Sequence, residues 1–283
     1  MTYRIAINGF GRIGRMTLRA IVEQETRDLE VVAINDLAPP DTLAHLLRYD
    51  SVHGRLAEPV TIEGDRMKIA GHSIRLTAER DPAALPWSDV DVVFECTGHF
   101  TARDKAAALL KAGARRVLIS APGTDVDRTV VYGVNHTALT AEDEIVSNAS
   151  CTTNCLAPVA KALDDAFGIE TGYMTTIHSY TGDQPTHDST HKDLYRARAL
   201  SLVLPQLKGR IEGSAVRVPT PNVSLIDLSF MPKRPVTRDE INETMAKAAK
   251  GELAGILSYE DAPLVSVDFN HDAHSSCFAA AQT

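Results

Sequence analysis

The sequence predicts an α/β protein of two domains. Residues 1–150 form a parallel, doubly wound sheet, and residues 151–283 an α+β domain on a mainly antiparallel sheet. Three observations predict this. Short apolar strands alternate with helices through the first half, a rhythm that builds right-handed βαβ units. A glycine-rich turn joins the first strand to the first helix. Beyond residue 150 several strands follow with few crossovers, the pattern of an antiparallel sheet. A chain of 283 residues suits two domains at roughly 100–200 residues each.

In order, Arg4–Asn8 reads as a strand, Gly11–Glu25 as a helix and Leu29–Asn35 as a valine- and isoleucine-rich strand. Thr42–Tyr49 is a short helix. Val60–Ile62, Met67–Ala70 and Ser73–Thr77 are short β segments punctuated by Gly64 and Gly71. Asp91–Cys96 is an apolar strand, Thr101–Ala112 an alanine-rich helix and Arg116–Ser120 another strand; Thr129–Val134 and Glu144–Ser147 follow as strands. In the second half one helix runs from Cys151 to about Phe167, and Tyr173–Tyr180 is a long β segment. Ser214–Val218 and Val223–Met231 are strands separated by Pro219-Thr220-Pro221. Thr237 with Glu240 has the spacing of a capping box and opens a helix that Gly251 stops. Leu264–Phe269 reads as the last strand.

Hydrophobic residues make up 44% of the chain, enough for a core that needs no disulfide or metal staple. The net charge of −8 argues against nucleic-acid binding and against a polybasic membrane surface, because no positive surplus exists to hold phosphates along a strand. No run of about 18 apolar residues predicts a membrane span. The N-terminus enters a strand directly, without the pattern of a signal peptide. Cys96, Cys151, Cys155 and Cys277 make no pair of Cys-x-x-Cys hooks, so no metal site is expected and a reduced, cytoplasmic setting is.

Gly9-Phe10-Gly11-Arg12-Ile13-Gly14 is a G-x-G-x-x-G run. It follows a strand and opens a helix, and Asp36 ends the next strand, which is the context of a Rossmann-type dinucleotide site. Glycines let the backbone approach a pyrophosphate, and the helix N-terminus offers free N–H groups. Asp36 would accept hydrogen bonds from the adenosine ribose and repel a 2′-phosphate, which favours NAD over NADP. Read plainly as structure, the same residues make a tight turn and a capping aspartate.

Ser150-Cys151-Thr152-Thr153-Asn154-Cys155 lies between a strand and an apolar helix. Ser150 is a good N-cap, which places Cys151 in the first turn, where the helix dipole stabilises a thiolate. A small core cysteine is an equal reading of the local sequence. Cys155 falls one turn deeper on the same face, as a buried and inert thiol. A nucleophile needs a base. His178 is a candidate, although a single histidine on a strand also serves structural ends. His45, His53, His187 and His191 sit in polar stretches and read as solvated.

Longer blocks carry a family resemblance. Asn8–Arg15, Ser147–Pro158, Arg217–Val223 and Asp268–Asp272 with Ser275-Ser276 resemble phosphorylating glyceraldehyde-3-phosphate dehydrogenase, in order and from residue 2 to 283. The cysteine block is specific to this family and to its erythrose-4-phosphate-using relatives. The resemblance implies NAD as cofactor and Cys151 as the nucleophile that forms a thiohemiacetal and then a thioester. His178 is implied as the base, and inorganic phosphate as the acyl acceptor. Thr181 and Arg196 match positions that hold the substrate phosphate, and Ser150, Thr152 and Arg217 positions near the attacking phosphate. Gly9, Phe10, Gly11, Arg12 and Ile13 match the pyrophosphate turn, Asp36 the ribose position, Arg80 an adenine-side position, and Thr97 and Ser120 positions near the nicotinamide. It also implies a homotetramer acting on glyceraldehyde 3-phosphate in central carbon metabolism.

Three departures from the family pattern bear on this. The chain passes from Ala199 directly to Leu200, where the family continues with a segment of the form Ser-Thr-Gly-Ala-Ala-Lys that carries part of the attacking-phosphate site. The family's last strand and terminal helix, with the asparagine that orients the nicotinamide carboxamide, have no counterpart. The expectation is therefore a longer natural polypeptide, which an intact mass would test. Ser189-Thr190 replace the Leu-Pro of many NAD-specific members, which loosens discrimination against NADP without removing the effect of Asp36. Two further readings remain: an erythrose-4-phosphate dehydrogenase, whose thioester goes to water, and a non-catalytic dinucleotide-binding protein, if the absent segments are deleted; the Ser150–Cys155 block argues against a semialdehyde dehydrogenase with a similar Cys/His plan.

Overall fold

The computed structural model describes residues 2–180 and 200–283. They divide into two compact units. One comprises the residues up to Thr129 with Leu139–Asn148, the other Val130–Ala138 with Ala149–Thr283.

The first unit contains β1 (Tyr3–Asn8), α1 (Arg12–Glu23), β2 (Leu29–Asn35), α2 (Pro40–Arg48), β3 (Tyr49–Asp50), β4 (Gly54–Arg55), β5 (Val60–Glu63), β6 (Arg66–Ile69) and β7 (His72–Thr77). It continues with β8 (Val92–Glu95), α3 (Arg103–Lys111), β9 (Arg116–Ile119), β10 (Arg128–Thr129) and β11 (Ile145–Ser147). Nine strands form one sheet in the order β10-β11-β9-β8-β1-β2-β7-β6-β5. All neighbours from β10 to β7 run parallel, and β5, β6 and β7 pair antiparallel. The strand order reverses around β1, which pairs with β2 on one side and β8 on the other. The central strands are apolar along their length because helices cover both faces. Ile5, Ile7, Val31 and Ile34 pack with Phe10 and Leu18. Ala6, Ala33, Val93 and Ile119 pack on the other side with Trp87 and Leu109. At the carboxyl ends, register sets the side chains of Asn35, Asn8 and Glu95 next to one another.

The second unit contains α4 (Cys151–Phe167), β12 (Ile169–Ser179), α5 (Leu200–Val203), β13 (Ile211–Val218), β14 (Leu225–Pro232), α6 (Arg238–Lys250), β15 (Leu257–Glu260) and β16 (Ser276–Ala279). Its three-stranded sheet has the order β13-β12-β14. β12 and β14 run antiparallel, whereas β12 and β13 run parallel, as do β15 and β16. Leu156, Ala160 and Leu163 of α4 pack with Met174, Leu228 and Phe230 from one face of the sheet. The other face leaves Tyr173, Val216, Leu225 and Met231 exposed.

Two expected strands are absent. Only Thr129 of Thr129–Val134 is in a strand; the chain then turns, with Asn135 Oδ1 accepting from Val131 N, and joins the second unit. Leu264–Phe269 ends in a 3₁₀ turn over Ser266–Phe269, closed by Asp268 Oδ2 accepting from Val265 N at 2.8 Å. A carboxylate three residues on gives the valine amide a local partner in place of a sheet ladder. No helix of the described residues is long and apolar enough to cross a membrane.

Candidate active site

In the second unit, Ser150 is the N-cap of the 17-residue helix α4, and its Oγ accepts from Thr153 N at 3.0 Å. Cys151 is therefore the first helical residue, exposed, with the positive end of the helix dipole behind it. Its Sγ lies 3.1 Å from Nε2 of His178. His178 is buried near the end of β12. Its Nδ1 lies 2.7 Å from the carbonyl oxygen of Ser179 and 2.6 Å from Nη1 of Arg217. Arg217 is the register partner of His178 on β13, and its Nη1 also donates to the Ser179 carbonyl.

The two partners of Nδ1 ask for opposite roles: the Ser179 carbonyl takes an Nδ1–H, and the Arg217 guanidinium, which only donates, takes a bare Nδ1. Nε2 faces Cys151, the group with which it can exchange a proton. Cys151 is the main cause that holds the His178 pKa above its ordinary value of 6.5; burial opposes it, the Ser179 carbonyl supports it, and the Arg217 cation opposes it. The strand end is fixed from outside. Ser179 N donates to Ser224 Oγ at 3.2 Å, and Tyr180 N to Thr220 O at 3.2 Å. Val223, next to Ser224, sits at φ +64°, a strained setting for a β-branched residue. Thr152 is buried beside Cys151. Cys155 is half-buried; its Sγ lies 3.6 Å from Ser276 Oγ and burial pushes its thiol pKa up. Burial likewise raises Cys96 and Cys277 to about 11.

In the first unit, Gly9 sits at φ +88°, and a Cβ there would lie 2.7 Å from Thr97 N. A Cβ on Gly14 would lie 2.2 Å from Gly9 O. Helix and turn are thus in direct contact, which only glycine allows. Gly11 has open space before it and caps α1 with no side-chain bond, and the first turn holds no acidic residue. An uncapped helix N-terminus beside a glycine turn fits a pyrophosphate. Asp36 Oδ2 accepts from Phe10 N at 2.7 Å and Oδ1 from Ala38 N at 2.9 Å, which holds the carboxylate at the end of β2 with lone pairs to spare for a ribose.

Phe10 is fully buried and Ile13 is exposed on the first turn of α1. Arg12 pairs with Asp50 at 2.8 Å. Burial pushes Asp50 up, but the N–H groups of His53 and Val52, then Arg12, bring it down to about 2. Arg80 is exposed, next to Glu79, whose backbone N and O bond Asn35. Thr97 N and Oγ1 donate to Glu95, and Ser120 N and Oγ donate to the Glu95 carbonyl at 3.0 Å. Thr181, Arg196, Gln184, His187, Ser189, Thr190 and His191 lie outside the described residues.

Residues 3–103 match the family "Glyceraldehyde 3-phosphate dehydrogenase, NAD binding domain" and residues 150–283 the corresponding C-terminal domain. The chain is 58% identical to "Glyceraldehyde-3-phosphate dehydrogenase" of Cereibacter sphaeroides over 298 residues, covering 100% of this chain and 90% of the relative. The chain belongs to the glyceraldehyde 3-phosphate dehydrogenase family. The relative of Xanthobacter flavus is also 58% identical, over 300 residues, and "Glyceraldehyde-3-phosphate dehydrogenase 1" of Bacillus subtilis 50% identical over 301, covering 90% and 89% of those proteins. These alignments are longer than the 283 residues of the chain, so each relative has residues without a counterpart inside it. The first unit thus contains an NAD binding domain, and the α/β plan is that of the family.

Sequence reasoning missed Ser224 and Glu95. Ser224 has no local signal, because it reaches Ser179 across 45 residues. Glu95 had one: a carboxylate closing the apolar run Val92-Val93-Phe94.

Proposed function

We propose that the chain oxidises glyceraldehyde 3-phosphate with NAD and inorganic phosphate to 1,3-bisphosphoglycerate, in the cytoplasm. The observation that carries this is the 3.1 Å contact between Cys151 Sγ and His178 Nε2 at the head of α4. As a thiolate, Cys151 attacks the aldehyde carbon to form a thiohemiacetal. NAD, when bound, supplies the hydride acceptor. His178 takes the hydroxyl proton as the hydride leaves, and a thioester remains on Cys151. A phosphate oxygen then attacks the thioester carbon and the Cys151 thiolate departs, which regenerates the nucleophile.

Ser150, Thr152 and Arg217 are assigned to the attacking phosphate, and Thr181 and Arg196 to the substrate phosphate; hydroxyls and planar guanidinium groups suit that anion. Gly9, Phe10, Gly11, Arg12 and Ile13 line the pyrophosphate turn, Arg80 the adenine side, and Thr97 and Ser120 the nicotinamide side. Asp36 selects NAD. Residues 1–150 act as the cofactor domain and 151–283 as the catalytic domain. A homotetramer is proposed from the apolar open face of the β13-β12-β14 sheet, since exposed patches of this kind mark interfaces.

The test is NADH formation from glyceraldehyde 3-phosphate and from erythrose 4-phosphate, each with and without inorganic phosphate. Turnover that prefers glyceraldehyde 3-phosphate and needs phosphate is expected. Preference for erythrose 4-phosphate without a phosphate requirement would replace the proposal with the hydrolytic reading. NAD binding without turnover would replace it with the non-catalytic one.

A further inference from the structure

A chain of buried and half-buried side chains crosses the carboxyl ends of β8, β1, β2 and β7, beneath the dinucleotide site, and of its members only Thr97 has a role assigned so far. Glu95 Oε1 accepts from Thr97 N at 2.8 Å and from Thr97 Oγ1, whose oxygen in turn accepts from His99 N at 3.0 Å. Glu95 Oε2 accepts from Asn8 Nδ2 at 2.5 Å. Asn8 Oδ1 accepts from Asn35 Nδ2 at 2.9 Å. Asn35 Oδ1 accepts from Thr77 Oγ1 at 2.9 Å and from Glu79 N at 2.8 Å.

The direction of the amide bonds is fixed from the ends. Glu79 N and Thr97 N can only donate, so both amides point one way, and Glu95 accepts from Asn8 Nδ2 on one oxygen and from Thr97 N on the other, with the Thr97 hydroxyl as a third partner. N–H donors on both oxygens favour the carboxylate over the acid. Burial holds its pKa above the ordinary carboxylate value, opposed by the bonds from Thr97 and Asn8 and by the charge of His99. Glu95 is 1% exposed, and His99 is the one titratable group whose charge acts on it, from beyond ion-pair distance. The neutral amides satisfy its hydrogen bonds without cancelling its charge, and a buried charge without a counter-charge is costly.

A cofactor can supply the missing charge. In a doubly wound sheet the dinucleotide crosses the carboxyl ends where the strand order reverses, with its adenosine ribose at the acidic residue ending the second strand. Here that residue is Asp36 after β2, so the other nucleotide lies on the β8 side, the strand that Glu95 ends. The nicotinamide ring carries a positive charge when oxidised and none when reduced.

We propose that Glu95 is a specificity-determining residue for the redox state of the cofactor, its buried carboxylate favouring the oxidised, positively charged nicotinamide over the reduced one. Once hydride has been transferred, the neutral ring loses this attraction. This rests on the reading of the first unit as an NAD site, which fails separately if the unaltered protein binds neither form.

The experiment measures dissociation constants for NAD and NADH by isothermal titration calorimetry, without substrate, on the unaltered protein and on Glu95→Gln. The expected result is that Glu95→Gln weakens NAD about tenfold more than NADH. Asn8→Asp combined with Glu95→Gln returns a carboxylate to the same contact with donors and acceptors matched, and should bring the NAD/NADH ratio back to within about threefold of the unaltered protein. If Glu95→Gln does not fold, the Asn8→Asp, Glu95→Gln pair alone is compared with the unaltered protein, and an NAD/NADH ratio more than about tenfold from the unaltered one overturns the proposal. Equal weakening of both forms, or of neither, overturns the proposal: the first makes Glu95 a scaffold for the Thr97 turn, the second a residue without influence on the cofactor.

Discussion

Cys151 raises the pKa of His178, and the sign of that effect is testable. The folded pKa of His178 is raised, with Cys151 as the leading cause. The folded state therefore holds the proton more tightly, and the resulting stability is fully present below the ordinary value of 6.5 and lost as pH rises through the folded value. Cys151→Ala should move the His178 titration downward in an NMR pH series; an unchanged midpoint would separate the two residues. His178→Asn should slow turnover by about 10²–10⁴-fold, the usual worth of a positioned base, and slow alkylation of Cys151 by iodoacetamide. Alkylation at Cys155 as fast as at Cys151 would count against the nucleophile, because burial raises the Cys155 thiol. Local sequence placed Cys151 at a helix start but left its role open between nucleophile and core residue. The family resemblance selected a role. What neither reading held was the pairing of His178 with Arg217, which depends on the parallel register of β12 and β13.

Elements whose signals are local were legible. The alternation of apolar strands and helices in the first unit follows from burial on both sheet faces. The box at α6 is present: Thr237 Oγ1 accepts from Glu240 N at 3.2 Å, and Glu240 Oε2 accepts from Thr237 N at 2.8 Å. Thr237→Ala should cost about 1 kcal/mol in urea unfolding, within the range of roughly 0.5–2 kcal/mol for N-cap loss, and leave turnover unchanged. A change in turnover would connect α6 to the site. Elements whose partners are remote were not legible. Leu257–Glu260 and Ser276–Ala279 are strands of four residues each, made by pairing with one another in parallel. Leu264–Phe269 has strand composition, but Asp268 satisfies the amide of Val265 locally and its valines stay exposed.

For the whole molecule, the change of rhythm near residue 150 is the sequence signal for a boundary between 1–150 and 151–283. The transfer of Val130–Ala138 to the second unit was not legible, since only tertiary packing decides it. The open sheet face carries the assembly prediction. Tyr173 on β12, Leu225 on β14 and Val216 on β13 are exposed there, and Leu225 and Val216 flank Ile177 in register. Tyr173→Asp with Leu225→Asp should convert the proposed tetramer to smaller species in size-exclusion chromatography with light scattering. Retention of the wild-type assembly would move the interface elsewhere.

The bonds around Asn8 also govern how this protein ages. Asn8 precedes Gly9, the dipeptide most prone to spontaneous deamidation, in which the glycine nitrogen attacks the asparagine side chain through a cyclic imide. In the folded chain the Asn8 amide is held at both ends, and Gly9 N is engaged with Asn35 O at 2.8 Å. The nucleophile and its target are both occupied, so the native fold stops this clock. Any excursion that opens the first unit restarts it. The imide opens to isoaspartate, which reroutes the backbone at the glycine turn, or to aspartate, which would return to face Glu95 at the 2.5 Å now spanned by a donor and an acceptor, carboxylate against carboxylate. Time spent unfolded thereby accumulates as permanent damage, concentrated at one peptide bond and readable by peptide mass spectrometry.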